Sequence, residues 1–295
     1  MRAVLLALCL TIAACNREPQ PITFDGALTT DKATLISHGD RLASVLGCRG
    51  CHGKNLEGTL ASKYTPQFGP LYASNLTVEV PEYTDAQLDG IIRHGTHPSR
   101  KTVWNMPSEI FQNISDPDFK ALVAYLRTLK PQGSKLPPPR FSALDRKNIA
   151  AGTYKPALQL VQEFKRGQPP LDLGPQYALG RYITTVSCVE CHGTDLNGGA
   201  AAGSSGPVKT PNLVIAGAYS RADFERLMTQ GVGAGGRKLD PAMYYVAIGR
   251  FAHLTPHERD ALYAYLKARA ERLSVSPRSS PAGWARGRAS GRASR

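Results

Sequence analysis

The sequence predicts an all-α chain of two tandem, duplicated domains, each a few helices and long loops. Three observations lead there. The first is an internal repeat: Cys-His-Gly-Lys-Asn-Leu-Glu-Gly at 51–58 returns as Cys-His-Gly-Thr-Asp-Leu-Asn-Gly at 191–198, an offset of 140. The offset falls to 137 where Gly69-Pro70 matches Gly206-Pro207, Asn75-Leu76 matches Asn212-Leu213 and Arg100-Lys101 matches Arg237-Lys238. It returns to 140 where Ala121 to Leu126 matches Ala261 to Leu266. The second is helical spacing in that last block, with Leu122, Tyr125, Leu126 and Leu129 on one stripe. The third is length, since 295 residues at roughly 150 per domain allow two.

Taken in order, residues 1–15 read as a lipoprotein signal peptide. Met1-Arg2 precedes the apolar run Ala3 to Ala14, and small residues then meet Cys15, the pattern of an exported and lipidated chain. The alternative is plain cleavage near Ala14. Cys15 would then be an odd exposed thiol, because Cys9 leaves with the leader and the other four cysteines fall into two matched motifs. The first domain spans 31–130 and the second 176–272. Each reads as helix, cysteine motif, long irregular loop, helix, methionine loop and closing helix. Between them, 131–175 is a Pro-rich linker holding Pro137, Pro138, Pro139, Pro169 and Pro170. We expect a semi-rigid spacer with a short helix at Leu158 to Arg166 that packs on a domain. From Leu273 to Arg295 five arginines stand among Ser, Gly, Ala and Pro with no acid, which predicts a disordered basic tail.

Composition narrows the class further. Lys+Arg of 36 against Asp+Glu of 23 gives +13, but without the tail arginines and Arg2 the body carries +7. Nearly half of the excess therefore sits in the termini, which argues against nucleic acid as a partner. No internal run reaches the ~18 apolar residues of a membrane span, so membrane contact is expected through the lipid alone.

Cys48-Arg49-Gly50-Cys51-His52 and Cys188-Val189-Glu190-Cys191-His192 are both C-x-x-C-H, the attachment sequence for c-type haem. Two thiols at this spacing reach two vinyl groups of one macrocycle, and the adjoining histidine turns beneath the iron. Composition predicts roughly 0.003 such motifs by chance, so two are specific. A zinc site would pair its C-x-x-C motifs some 15–20 residues apart, whereas 136 residues separate Cys51 from Cys188. A thioredoxin-like pair explains neither the histidine nor the duplication. The expected cofactors are two covalently bound haem c groups, and each macrocycle supplies the apolar centre that loops this long cannot build alone.

The repeat also selects the sixth iron ligands. Met106 and Met243 are partners at the 137 offset, and a soft thioether favours ferrous iron and a high potential. Met228 is the rival, but its counterpart is Ile91 and it lies on a stripe with Phe224 and Leu227, as core filling does. Met106 precedes Pro107, which suits a ligand loop; Tyr244 stands at the equivalent place after Met243. His94 ends a helical pattern before Gly95, and His257 lies in a capping-box helix start at Thr255 to Glu258 matched by Ser115 to Asp118. His38, His97 and His253 have no histidine partner across the repeat and read as surface or packing residues.

The combination of C-x-x-C-H, Gly-Pro, Asn-Leu, methionine loop and closing Tyr-Leu helix resembles the class I c-type cytochrome family over residues 31–130 and 175–270. The whole chain is similar to di-haem bacterial periplasmic cytochromes. The resemblance implies thioethers at Cys48, Cys51, Cys188 and Cys191, proximal ligands His52 and His192, and distal ligands Met106 and Met243. It further implies that the Pro70 and Pro207 carbonyls accept the Nδ1 protons of the proximal histidines.

The function expected is a one-electron carrier between a donor dehydrogenase and an acceptor oxidase or reductase, on the periplasmic side of a membrane by its lipid or soluble in the periplasm. With roughly four propionates added, the body falls to about +3, and a mildly basic face steers acidic partners. The rival is a di-haem enzyme of the peroxidase kind, which needs an open iron; methionine in both domains argues against it. A fixed cytochrome subunit of a dehydrogenase complex shares the carrier chemistry and differs in partner lifetime.

Overall fold

The computed structural model describes residues 20–61, 69–164, 169–203 and 206–275. The predicted leader with Cys15 and the tail beyond residue 275 lie outside them. The first half contains α1 (Lys32–Val45), α2 (Cys48–His52), α3 (Leu76–Glu79), α4 (Asp85–His94), α5 (Ser108–Phe111) and α6 (Asp116–Leu126). The connecting segment adds α7 (Ala143–Ala150) and α8 (Ala157–Phe164). The second half contains α9 (Ala178–Ser187), α10 (Val189–His192), α11 (Arg221–Gln230), α12 (Pro241–Gly249) and α13 (Pro256–Val275). Strands β1 (Thr59–Leu60) and β2 (Tyr72–Ala73) form one antiparallel pair, β3 (Gly199–Gly203) and β4 (Gly206–Thr210) another. Among the described residues no helix is long and apolar enough to cross a membrane.

In each half the first and last helices cross in contact, and a glycine makes the crossing possible. A methyl group on Gly39 of α1 would lie 2.0 Å from the Ala121 carbonyl oxygen of α6. On Gly180 of α9 it would lie 2.2 Å from the Ala261 carbonyl oxygen of α13. Leu42, Val45 and Leu122 are fully buried at the first crossing, Ile183, Val186 and Leu262 at the second. Capping sets the helix starts. Asp31 accepts from Thr34 N at 2.7 Å, and Thr84 and Gln87 form a capping box on α4. The expected box at the closing helix is present: Glu258 N donates to Thr255 Oγ1 at 3.1 Å and Thr255 N to Glu258 Oε2 at 2.8 Å.

The segment 131–175 departs from the spacer expected. Its described residues up to 164 pack on the first half, while Pro170 and Leu171 are held by the second, accepting from Arg181 Nε at 2.8 Å and Tyr265 Oη at 2.9 Å. A short helix does pack there, as α8 at Ala157–Phe164, where Ala157 N donates to Val103 O at 3.0 Å. Helix α7 was not legible in the pattern, having little amphipathicity and owing its start to a Ser142–Asp145 capping box. Trp104 is clamped between linker aromatics, 4.8 Å from Phe141 and 5.0 Å from Tyr154 by ring centroids. Asn75 donates to Gln132 O at 2.6 Å and Ser134 O at 3.1 Å. A prolyl chain is held extended by its rings, and here it finds paired carbonyls and aromatic faces to lie on. Leu273 to Val275, placed in the tail by the sequence, belong to helix α13 instead.

The two halves meet across a pseudo-two-fold interface. Arg41 of α1 grips Glu258 at the start of α13, with Nη1 to Oε2 2.7 Å and Nη2 to Oε1 2.8 Å. The related position in α9, set by the Gly39–Gly180 match, is Tyr182. It donates to Asp118 Oδ2 at 2.8 Å, and Asp118 is the repeat partner of Glu258. Both carboxylates are wholly buried. Asp118 also receives His38 Nε2 at 2.9 Å and Phe24 N at 3.0 Å. His38 is thus a packing residue, as expected, but one that serves the interface. The Phe24 ring lies tilted against Tyr182 at 5.3 Å between centroids, so residues ahead of the predicted domain start belong to the packed body.

Candidate haem sites

Each cysteine motif is a short helix hung from the preceding long one. In the first half Gly47, with φ +81, turns α1 into α2. In the second, the chain runs from α9 into α10 through Cys188, and His192 N donates to Cys188 O at 3.0 Å. After each histidine the chain makes the same strained loop. Leu56 and Leu196 have φ of 65° and 61°, and both are fully buried. Such conformations in a leucine cost on the order of 1–2 kcal/mol and persist where packing over-determines them. Gly58 N then donates to His52 O at 2.7 Å, and Gly198 N to His192 O at 2.8 Å.

The histidine rings are oriented by backbone. His52 Nδ1 donates to the Ser74 carbonyl at 2.7 Å, and His192 Nδ1 to the Pro211 carbonyl at 2.9 Å. This corrects the acceptors implied by resemblance. The Pro70 carbonyl is taken by Arg140 N at 3.3 Å, and Pro207 stands in β4 opposite Ala202. Ser74 and Pro211 are themselves partners at the 137 offset, immediately ahead of the matched Asn-Leu pairs, so the signal was present in the repeat. Asn75 and Asn212 fix that carbonyl by capping the next turn, accepting from Thr77 N at 3.1 Å and Val214 N at 2.8 Å. With Nδ1 committed, Nε2 is the nitrogen left for a metal. Burial holds both imidazoles below their ordinary pKa against this hydrogen bond, which keeps them neutral.

Cys48, Cys51, Cys188 and Cys191 are in no disulfide, so their sulfurs are available for thioethers. Burial pushes the Cys48 and Cys188 thiols up to about 11 and raises the other two. Thr59 and Thr210 hydroxyls hold the Cys51 and Cys191 carbonyls, each at 2.7 Å. Among the described residues no group of three or more His, Cys, Asp or Glu side chains is gathered for a bare metal ion. The donor set instead fits a macrocycle in each half: two thiols, a tethered imidazole, and a thioether from elsewhere in the domain.

Met106 and Met243 are half-buried against the core, while Met228 is buried on α11 beside Phe224, the packing role expected. The two ligand segments differ in backbone. Met106 sits in a loop between Asn105, with φ 58°, and Pro107. Met243 lies on α12, not in a loop, because Tyr244 keeps an N–H that donates to Asp240 O at 2.9 Å. Proline at the first-half position forbids that bond.

The fold brings the two cysteine motifs together, a juxtaposition the sequence did not disclose. Arg250, just after α12, donates from Nε to Val45 O at 3.1 Å and pairs through Nη1 with Glu190 Oε2 at 3.4 Å. Glu109 on α5 is half-buried, with Oε2 shut from solvent and unpartnered, and burial together with the nearby Glu190 charge pushes its carboxyl up to about 7.

Residues 36–130 and 177–270 each match the family described as Cytochrome c. The chain is similar to a diheme cytochrome c-type protein of Cereibacter sphaeroides, at 25% identity over 84% of this chain and 90% of that protein. It is similar to the fructose dehydrogenase cytochrome subunit of Gluconobacter japonicus, at 24% identity over 91% of this chain and 58% of the subunit. The gluconate 2-dehydrogenase cytochrome c subunit of Pantoea cypripedii matches at 29% identity over 56% of this chain and 40% of its own length.

Proposed function

We infer the working parts of this protein from the fact that its chain belongs to the cytochrome c family, with two haem-binding domains joined in one electron carrier. The haem, when bound, supplies reversible one-electron iron chemistry through its ring edge. The chain's own part is attachment, orientation and exclusion of water. Cys48 and Cys51 in one half, and Cys188 and Cys191 in the other, form the thioethers. His52 and His192 hold the irons through Nε2, and the Ser74 and Pro211 carbonyls keep those rings in one tautomer and one orientation. Met106 and Met243 would supply a thioether sulfur to each iron, a soft ligand that stabilises the reduced state.

The observation that carries this reading is the duplicated Nδ1-to-carbonyl hydrogen bond, which commits each motif's histidine through one nitrogen and leaves the other for iron. Cys15 tethers the exported chain by lipid on the periplasmic side, and electrons pass between protein partners, a donor dehydrogenase and an acceptor oxidase or reductase. The fructose dehydrogenase likeness favours a second reading, a resident subunit of a dehydrogenase complex, which co-purification distinguishes.

A pyridine haemochrome assay tests attachment: two haems per chain, and one after Cys188→Ala with Cys191→Ala. Haem extractable by acidified acetone would refute the thioethers. Met106→Ala and Met243→Ala should each admit about one carbon monoxide, whereas Met228→Ala leaves both spectra intact. Strong carbon monoxide binding or rapid peroxide turnover by the unaltered protein would replace the carrier with an enzyme. Cys15→Ser should release a soluble periplasmic protein that keeps both haems; an unaltered chain without acyl mass would mean plain cleavage.

A further inference from the structure

Arg250 stands where the two halves cease to be copies of each other. Its repeat partner at the 140 offset is Ile110, an uncharged residue, and Glu190 is matched by Gly50. The arginine side chain is only 15% exposed. Its guanidinium lies over the bare Cα of Gly47, where a methyl group would come within 3.0 Å of Nε and Cζ. Through Nε it holds the Val45 carbonyl, at the turn that launches the first motif; through Nη1 it reaches Glu190, inside the second motif. Its backbone continues from α12, the helix that carries Met243. Val45 lies three residues ahead of Cys48, and Glu190 lies between Cys188 and Cys191. A single cation thus faces both motifs, and its carboxylate partner is more distant than in a tight ion pair.

We propose that Arg250 is a positioning residue for electron exchange between the halves, holding the two C-x-x-C-H motifs against each other and lending one positive charge to both haem sites. This rests on the reading that those motifs carry the haems. A fixed cation disfavours the more positive oxidised iron, so it raises the potential of each site it faces. One charge shared by two sites keeps their potentials moving together, and the hold on Val45 and Glu190 keeps the two motifs at one separation.

The test uses the full-length protein loaded with haem, and the haem count of each variant checks the underlying reading first. With two haems retained, Arg250→Gln should lower both waves of a spectroelectrochemical redox titration, each by about tenfold in reduction equilibrium constant, about 59 mV for a one-electron couple. Arg250→Lys keeps the charge and should restore both potentials while electron equilibration between the haems, followed after flash reduction, remains slower than in the unaltered protein. Glu190→Gln should move both potentials upward, an outcome that requires no loss of packing at Val45. A shift confined to one haem in Arg250→Gln, or none in both Arg250→Gln and Glu190→Gln, would overturn the proposal. If Arg250→Gln fails to hold haem, the Glu190→Gln titration and the exchange rate of Arg250→Lys decide it. A chain that binds no covalent haem even when unaltered would refute the parent reading instead.

Discussion

Removing Arg41 should loosen the two halves more than any other single truncation at their interface. Glu258 has no exposed surface, and its carboxylate is held by two guanidinium nitrogens of Arg41 at 2.7 and 2.8 Å and by the N–H groups of Asp25 and Thr255, both at 2.8 Å. Arg41→Ala leaves the two amides and takes away the cation. Breaking one side of a buried pair costs about 3–5 kcal/mol. Since the arginine side chain is 21% exposed, water reaches the gap and the lower end applies, about 3 kcal/mol. The pseudo-symmetric change Tyr182→Phe removes a hydrogen bond to Asp118, which keeps His38, Ser115 Oγ and the Phe24 amide, and also the acceptor of Ser115 N, so about 1–3 kcal/mol is expected. Arg41→Met with Glu258→Gln should recover most of the first loss, because no buried charge is then left alone. Urea unfolding of the haem-loaded protein reads all of these, with the Soret band and far-UV dichroism followed together. The unaltered chain should show coincident transitions. Arg41→Ala with Tyr182→Phe should separate them into two as the halves unfold independently. A loss under 1 kcal/mol for Arg41→Ala, or no recovery in the paired replacement, would refute the reasoning.

Other consequences are open to direct measurement. Gly39→Ala or Gly180→Ala would drive a methyl to 2.0–2.2 Å from a carbonyl oxygen, so each should cost at least 1–3 kcal/mol and lower the yield of folded protein. Trp104→Ala removes the ring that Phe141 and Tyr154 clasp; a loss of about 3 kcal/mol and rapid proteolytic nicking within 131–164 are expected. Glu109 titrates near 7 in the folded chain and near 4.5 when unfolded. The folded state holds its proton longer, so this residue's contribution is fully present below about pH 4.5 and is lost as pH rises through about 7. Glu109→Gln should flatten that decline, by about 2–3 kcal/mol across the window. An unchanged pH profile of urea midpoints would show that Glu109 is charged in the fold.

What the sequence determined by itself was everything that repeats at short range. Two C-x-x-C-H motifs name their cofactor because thiol spacing along one helical turn is a local property. The 137 offset pairs Met106 with Met243 and Ile91 with Met228, because register is kept from the Asn-Leu pairs to the methionines. The capping pattern at Thr255 to Glu258 was legible because a helix start is decided within four residues. The same offset contains the imidazole acceptors, Ser74 and Pro211, but a carbonyl carries no side-chain signature that sets it apart from those of Pro70 and Pro207, which the resemblance implied. The tertiary structure decided what depends on surfaces meeting. Arg250, Tyr182 and Glu109 break the repeat, so register reasoning discards them, yet they line the contact between halves. Asp118 and Glu258 looked like ordinary capping acids until burial against Tyr182 and Arg41 made them the centre of the interface. The Pro-rich segment was read as a spacer because its composition describes stiffness; whether it bridges or clasps depends on the Trp104 face that waits for it. Local chemistry is written along the chain, whereas which two surfaces exclude water together is settled only when the whole chain has folded.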